Sequence, residues 1–270
     1  MSRNIILAGV PRSGSTLTCH LLNKIPNTVA LHEPIEPGLV PVASEAEMLA
    51  YIEAFFAQQR TSVINRGSAK SRSMAGKVPD NHIGTFDKKT GKREFLLDGN
   101  EINIDNISDN DFLLLIKQPG LFAGMLHFLS SHFVCFATIR NPLAVLRSWN
   151  SVDMAVTDGH APAAEQYDAT LKATLAEEKD VFQRQLILLS WYFEQFQKYL
   201  PGEHIIRYED VIKTGGKNLS CITTKAKTLS EKLETRNNNP LYDESLKSEL
   251  KELLLDSDGH YWDFYSKEGL

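Results

Sequence analysis

The 270-residue sequence holds few cysteines, namely Cys19, Cys135 and Cys221. Their odd number and wide spacing exclude a disulfide framework, and none pairs at the spacing of a metal site. Each is expected to be a small buried hydrophobe. No run approaches the roughly 20 apolar residues that span a bilayer. The apolar run Ile5–Val10 is short and leads straight into a glycine loop, so it reads as a strand and not as the core of a secretory signal. The chain therefore reads as cytoplasmic, with no membrane span. Positive charge is not in excess either: 29 Lys and Arg stand against 34 Asp and Glu, a net charge of −5. No global field draws the chain to nucleic acid, although a local basic pocket for a small anion is compatible with this balance. No internal repeat is present. What remains is an ordinary globular composition, 42% hydrophobic and 23% charged, at a length that fits one large α/β domain or two small ones.

One short stretch organises the rest. Asn4–Val10 is rich in β-formers and reads as a buried strand. A loop with Gly9, Pro11, Arg12, Ser13, Gly14 and Ser15 follows, and a helical pattern begins at Thr16–Leu17. Strand, small-residue loop and helix place backbone N–H groups and a helix N-terminus around a phosphate. Gly9 and Gly14 keep the spacing of the nucleotide-triphosphate loop G-x-x-x-x-G-K-[ST], but Ser15 stands where that loop has its lysine. Arg12 instead puts a cation inside the loop, suited to clamping a phosphate or sulfate oxygen. These residues favour a phosphate-bearing nucleotide that is not split at a γ-phosphate.

Further along, Thr28–Leu31 reads as a strand ending in His32-Glu33-Pro34. The carboxyl end of strands in an open parallel sheet is where ligands bind; the plainer reading makes His32 and Glu33 solvated turn residues. Ser44–Arg60 reads as a helix, with Ser44 and Glu47 as a capping box and a core stripe of Met48, Leu49, Ile52, Phe55 and Phe56. Residues 61–110 read as polar loops with one hairpin, Ile83–Phe86 and Glu94–Leu97 around Asp87–Gly91. Within them, Arg66–Lys77 is expected to be a mobile solvated loop, or alternatively a basic lid over an anion. Asp111–Pro119 reads as a buried strand ending in Lys117, which either snorkels at the sheet edge or reaches an anion. A helix over Leu121–Ser131 precedes the strand Phe133–Ile139. Arg140 then stands at a strand end, Pro142 opens a helix, and Ser148 lies about two turns in. Helices are expected over Ala163–Leu175, Asp180–Leu200, around Glu231 and over Glu244–Leu254, with a strand at His204–Asp210 and a flexible loop at Lys213–Asn218.

Two of these segments carry a resemblance. Pro11–Leu17 resembles the 5′-phosphosulfate loop, P-[RK]-S-G-[ST]-T-x, of sulfotransferases that use 3′-phosphoadenosine 5′-phosphosulfate (PAPS). Arg140-Asn141-Pro142 with Ser148 resembles the same family's 3′-phosphate segment, R-[ND]-P-x-x-x-x-x-S. Both fall in the family's order, each at a strand-to-helix junction. The resemblance implies a sulfuryl transfer from PAPS to an acceptor hydroxyl without a metal. It implies that Arg12, Ser13, Gly14, Ser15, Thr16, Arg140 and Ser148 bind the cofactor, and that Lys117 approaches the sulfuryl group beside Arg12. Glu33, with His32 second, matches the general base of several branches. Tyr208-Glu209-Asp210 echoes a family feature that is mainly structural. The glycine-rich basic segment that some branches carry near the C-terminus is missing; Lys225, Lys227 or Arg236 would have to replace it. A glutamate-type base leans toward a carbohydrate or alkyl alcohol acceptor over a phenol or peptide tyrosine.

Alternating strands and helices predict an α/β fold: a parallel sheet with helices on both faces, of P-loop-NTPase-like topology. The expectation is a single sulfotransferase-like domain over residues 1–270, with insertions near 37–110 and 152–180. Two rival readings are a Mg²⁺-dependent phosphotransferase with a degenerate loop and a nucleotide-binding protein without catalysis. The acceptor's identity and the oligomeric state leave no readable trace.

Overall fold

The computed structural model describes residues 3–87, 89 and 91–270. Its centre is a five-stranded parallel sheet of β1 (Asn4–Gly9), β2 (Thr28–His32), β7 (Leu113–Lys117), β8 (Val134–Ile139) and β9 (Ile205–Arg207), in the order β2-β7-β1-β8-β9. Successive side chains of a strand point to opposite faces. Val29, Ala30, Leu31, Leu114, Leu115, Ile116, Ile6, Leu7 and Ala8 are all fully buried, so both faces are covered. The first strand lies in the middle, and chain order reverses on either side of it. The crevice beyond its carboxyl end is therefore the expected ligand position.

The helices are α1 (Ser15–Leu22), α2 (Glu45–Arg66), α3 (Pro119–Gly124), α4 (Leu126–Leu129), α5 (Pro142–Asn150), α6 (Pro162–Glu165), α7 (Ala169–Glu177), α8 (Val181–Tyr199), α9 (Tyr208–Thr214) and α10 (Ser245–Leu255). Capping fixes several starts. Ser44 accepts from the Glu47 N–H, Asn141 from Ala144, Asp168 from Leu171 and Asp180 from Gln183, each offsetting one orphan donor. One hydrophobic cluster runs from Ile5 to Tyr261. Among the described residues no helix is long and apolar enough to cross a membrane.

Several expectations are corrected. Helix α2 runs on to Arg66, where Gly67 caps it in the left-handed region at φ 63°. The stretch expected as loop beyond it forms β3 (Ser68–Ser73), paired antiparallel with β6 (Gly99–Asn103). A mobile loop at Arg66–Lys77 is thus replaced by a strand whose Ser71 and Ser73 are buried. The hairpin is present as β4 (Ile83–Phe86) and β5 (Arg93–Phe95); Lys88 and Thr90 of its turn lie outside the described residues. The helix over 121–131 breaks at Met125, and the one over 163–175 divides around Asp168, whose side chain starts a new helix. Tyr208-Glu209-Asp210 opens α9 instead of ending a strand. No helix forms around Glu231, where the chain is irregular and crosses the carboxyl end of the sheet. Lys213 lies in α9, and 217–221 form a 3₁₀ turn after Gly215 and Gly216. Cys19 and Cys135 are buried as expected, but Cys221 is exposed.

Candidate functional site

The loop after β1 is held by its own small residues. The Ser13 hydroxyl donates to the Thr138 carbonyl at 2.9 Å and meets Thr138 Oγ1 at 2.7 Å, while the Trp149 indole donates to the Pro11 carbonyl at 2.9 Å. Gly14 adopts φ 89°, and a Cβ there would stand 2.6 Å from the Tyr208 ring. Only glycine combines that conformation with that approach. Helix α1 starts at the next residue, and the first N–H groups of a helix have no partner within it. Gly14, Ser15, Thr16 and Leu17 line a cavity of about 780 Å³. They bring to it the partial positive charge of a helix N-terminus.

Among the described residues, six cations line this cavity, Arg12, Arg72, Lys117, Arg140, Lys232 and Arg236, against three carboxylates, Glu33, Asp80 and Glu234. In a chain of net charge −5, this local surplus marks an anion site. Arg12 adopts φ 74°, and its Nε donates to the Ser148 hydroxyl at 3.2 Å. Burial, with Arg140, Arg93 and Arg236 nearby, pulls its guanidinium down to about 10, so it stays charged at neutral pH. The Arg140 guanidinium stacks on the Tyr208 ring at 4.6 Å and donates to the carbonyls of Arg12 and Arg236 and to Asn237 Oδ1. It thereby ties the irregular segment around residues 236–237 to the loop. The Arg236 N–H adds a bond to the Tyr208 hydroxyl at 2.9 Å. Glu209 accepts from the Asn141 N–H, Asn237 Nδ2 and the Tyr265 hydroxyl, which makes it a structural anchor.

The opposite wall is built by β2 and β7, whose ends are adjacent because His32 is in register with Lys117. Lys117 is only 2% exposed. Its Nζ donates to Glu33 Oε1 at 2.5 Å and to Thr16 Oγ1 at 3.5 Å. Glu33 Oε2 is met by Arg72 Nη1 at 3.2 Å. Burial alone would push the Glu33 carboxyl up, but the Lys117 ammonium outweighs it and holds it well below the usual carboxylate range. Glu33 also adopts φ 46°, so this site holds two left-handed non-glycine residues.

The structure brings together Arg12, Gly14, Ser15, Thr16, Glu33, Lys117 and Arg140 around one cavity. Three other expected site residues stand behind it. Ser13 is 1% exposed and holds the loop on β8; Ser148 is fully buried and reaches the cavity through Arg12. His32 is fully buried, and neither ring nitrogen makes a hydrogen bond, Nε2 lying 3.5 Å from Glu33 Oε1 without alignment. Burial and Lys117 lower it to about 4, so it is a neutral ring with no access to an acceptor. Of the three candidates for the missing basic segment, Arg236 lines the cavity, whereas Lys225 turns to the Pro26 carbonyl.

The sequence reading missed His82 and Tyr242, and it placed Arg72 only within Arg66–Lys77, expected as a solvated loop or a basic lid over an anion; Arg72 lines the cavity from β3. The His82 ring stands 4.9 Å from that of His32, and its Nδ1 meets Thr16 Oγ1 at 3.2 Å. Burial and the positive charge of Arg12 and Lys117 lower it to about 2. Tyr242 contacts Arg140 through its hydroxyl at 3.3 Å, and its ring faces Arg147 at 5.2 Å. These residues sit in polar, irregular sequence without periodicity, which left no signal to follow.

No protein-family model matches the chain, and no curated protein matches it. Among solved structures it is similar to the crystal structure of the sulfotransferase STF1 from Mycobacterium tuberculosis H37Rv. The identity is 14%, the match covers 93% of this chain and 76% of that one, and the TM-score is 0.42.

Proposed function

We propose that this chain transfers a sulfuryl group from PAPS to a hydroxyl of a small acceptor. The observation that carries the reading is the convergence on one cavity of the α1 N-terminus, Arg12, Arg140 and Lys117. Transfer to an oxygen needs positioning and charge stabilisation at the equatorial and bridging oxygens. The N–H groups of Gly14–Thr16 with Arg12 would hold the 5′-phosphosulfate, with Lys117 at the group transferred. Arg140 would hold the 3′-phosphate, backed by Arg236, and so select this nucleotide over ordinary adenine nucleotides. Ser148 would act by orienting Arg12.

Glu33 has its two oxygens occupied by Lys117 and Arg72. In this reading it is the counter-ion that holds and aims the Lys117 side chain. It becomes a proton acceptor, as the resemblance implies, only where those cations turn to the donor. The walls away from the loop include Leu121, Met154, Val156, Pro162 and Ala163, an apolar lining for the acceptor's body.

Calorimetric titration tests the donor. The desulfated product 3′-phosphoadenosine 5′-phosphate should bind at least about tenfold more tightly than 5′-AMP, the worth of one lost charge-assisted contact. Arg140→Ala should erase that preference. ATP binding as well or better, strengthened by Mg²⁺, would refute the reading and favour a phosphotransferase.

A further inference from the structure

Resting on that reading, one question is which group takes the acceptor's proton. Glu33 is poorly suited, since Lys117 at 2.5 Å and Arg72 at 3.2 Å occupy its oxygens. His32 is sealed from the cavity, and His82 turns its Nδ1 to Thr16.

A different pair lies on the apolar wall. His160 follows Gly159, which turns the chain at φ 73° under Arg184. Arg184 is itself engaged with the Asp158 carbonyl. His160 lines the cavity and is 31% exposed. Its Nδ1 stands 3.2 Å and 3.3 Å from the two oxygens of Glu165. Glu165 is 11% exposed, and its Oε1 is fixed by the Ala161 N–H at 2.7 Å. A carboxylate accepts only, so Nδ1 carries the hydrogen and, in the neutral ring, the lone pair is on Nε2. No side chain or backbone group among the described residues takes Nε2. The carboxylate thus fixes both the tautomer and the ring plane, the arrangement that prepares an imidazole to accept a proton.

The pair is also joined to the transfer end. Helix α6, which carries Glu165, packs on α3, which begins two residues after Lys117. A Cβ at Gly124 would stand 2.9 Å from the Ala164 carbonyl, so these helices are in close contact. The buried Tyr192 hydroxyl, next to Gly120, feels the negative charge of both Glu165 and Glu33.

We propose that His160, oriented by Glu165, is the general base of this site. The acceptor oxygen forms its bond to sulfur as the bond from sulfur to the 5′-phosphate oxygen breaks. The acceptor's proton passes to His160 Nε2, and the electron pair of the broken bond leaves with the phosphate. Glu33 then serves Lys117 and not the acceptor.

Two measurements test this. With PAPS and hexan-1-ol, His160→Ala should lower kcat by roughly 100-fold or more, with KM for PAPS unchanged, and added imidazole should restore turnover. Glu165→Gln should lower kcat less. Unchanged kcat in His160→Ala, or a loss that imidazole does not relieve, overturns the assignment. The second measurement needs no turnover. Diethyl pyrocarbonate should modify His160, read by peptide mass spectrometry, and 3′-phosphoadenosine 5′-phosphate with hexan-1-ol should protect it. Modification at the same rate with and without them overturns the assignment and leaves the transfer reading standing. Protection without any sulfation of hexan-1-ol supports His160 as a site residue and counts against the transfer reading.

Discussion

Glu33 and Lys117 form a pair whose two halves are unequally exposed, and this predicts an unequal cost of breaking it. The Lys117 side chain is 2% exposed and that of Glu33 is 25% exposed. Glu33→Gln leaves a buried ammonium with Thr16 Oγ1 at 3.5 Å and one amide oxygen. Removing one partner of a buried pair costs about 3–5 kcal/mol, and the remaining amide bond places the expected loss near the lower end, about 3 kcal/mol. Lys117→Met leaves a carboxylate that still has Arg72 at 3.2 Å and access to water, so about 1 kcal/mol is expected. The double variant should be more stable than Glu33→Gln alone, since no charge is then stranded. Urea unfolding at pH 7.5, with unchanged m-values, reads all three. The pH dependence gives a second reading. The folded Glu33 carboxyl is held below its unfolded value. Its contribution is therefore present above the ordinary carboxylate range, around pH 4.5, and is lost as pH falls through the lower folded value. The gap between wild type and Glu33→Gln should narrow on acidification below about pH 4.5. A larger loss in Lys117→Met than in Glu33→Gln, or a gap that widens toward acid, would refute this account of the pair.

Other substitutions test separate parts of the site. Gly14→Ala forces a Cβ to within 2.6 Å of Tyr208 at φ 89°; it should lower thermal stability by about 2 kcal/mol or more and abolish binding of 3′-phosphoadenosine 5′-phosphate in a calorimeter. Ser148→Ala removes the hydroxyl that orients Arg12, so it should weaken that binding only about tenfold or less, whereas Arg12→Gln should weaken it by more; equal losses would show a direct phosphate contact by Ser148. Tyr192→Phe removes a buried hydroxyl with no hydrogen-bond partner and should stabilise the free protein by roughly 1 kcal/mol, seen as a higher urea midpoint.

What the sequence revealed of this site was its strand ends and its glycines. The apolar runs at Asn4–Val10 and Asp111–Lys117 are long enough to be read as buried strands, and parallel sheets place their carboxyl ends on one edge. Arg12, Glu33, Lys117 and Arg140 were therefore legible as neighbours before any contact was known. Side-chain direction was not legible. Ser13, His32 and Ser148 have the right types and positions but are buried, Ser13 bonded to Thr138 and Ser148 to the Arg12 guanidinium. His82 was lost for another reason, and Arg72 was read only as part of a basic stretch expected to be a loop. They lie in ribbons of polar residues whose pairing is set by contact with β2 and α1 and not by their own pattern. Strand β3 carries Ser, Lys and Arg, and the Ser71 hydroxyl holds the His32 N–H at 2.9 Å. A sequence window sees only the polarity.

The backbone gives an independent argument that the wall is organised around charge placement. Among the described residues, four non-glycine residues adopt positive φ: Arg12, Asn27, Glu33 and Ala75. Asn27 is a type that tolerates this region, and Ala75 sits in a tight turn beside Gly76, closed by the Met74–Lys77 bridge. Arg12 and Glu33 have no such excuse, and each position costs about 1–2 kcal/mol. Both are charged, both line the cavity, and both are fixed by their neighbours: Arg12 through Ser148 and its carbonyl to Arg140, Glu33 through its N–H to the Lys117 carbonyl at 2.9 Å. Two connections needed only to lead the chain out of β1 and out of β2 would not each place that strain on a charged residue. Such strain persists where the surroundings over-determine it, and it clusters where groups are held ready for a ligand. Arg12→Gly should relieve the strain yet weaken anion binding, so stability and nucleotide affinity should move in opposite directions at position 12. If both fall together there, the left-handed turn at Arg12 is a folding requirement and not a device for binding.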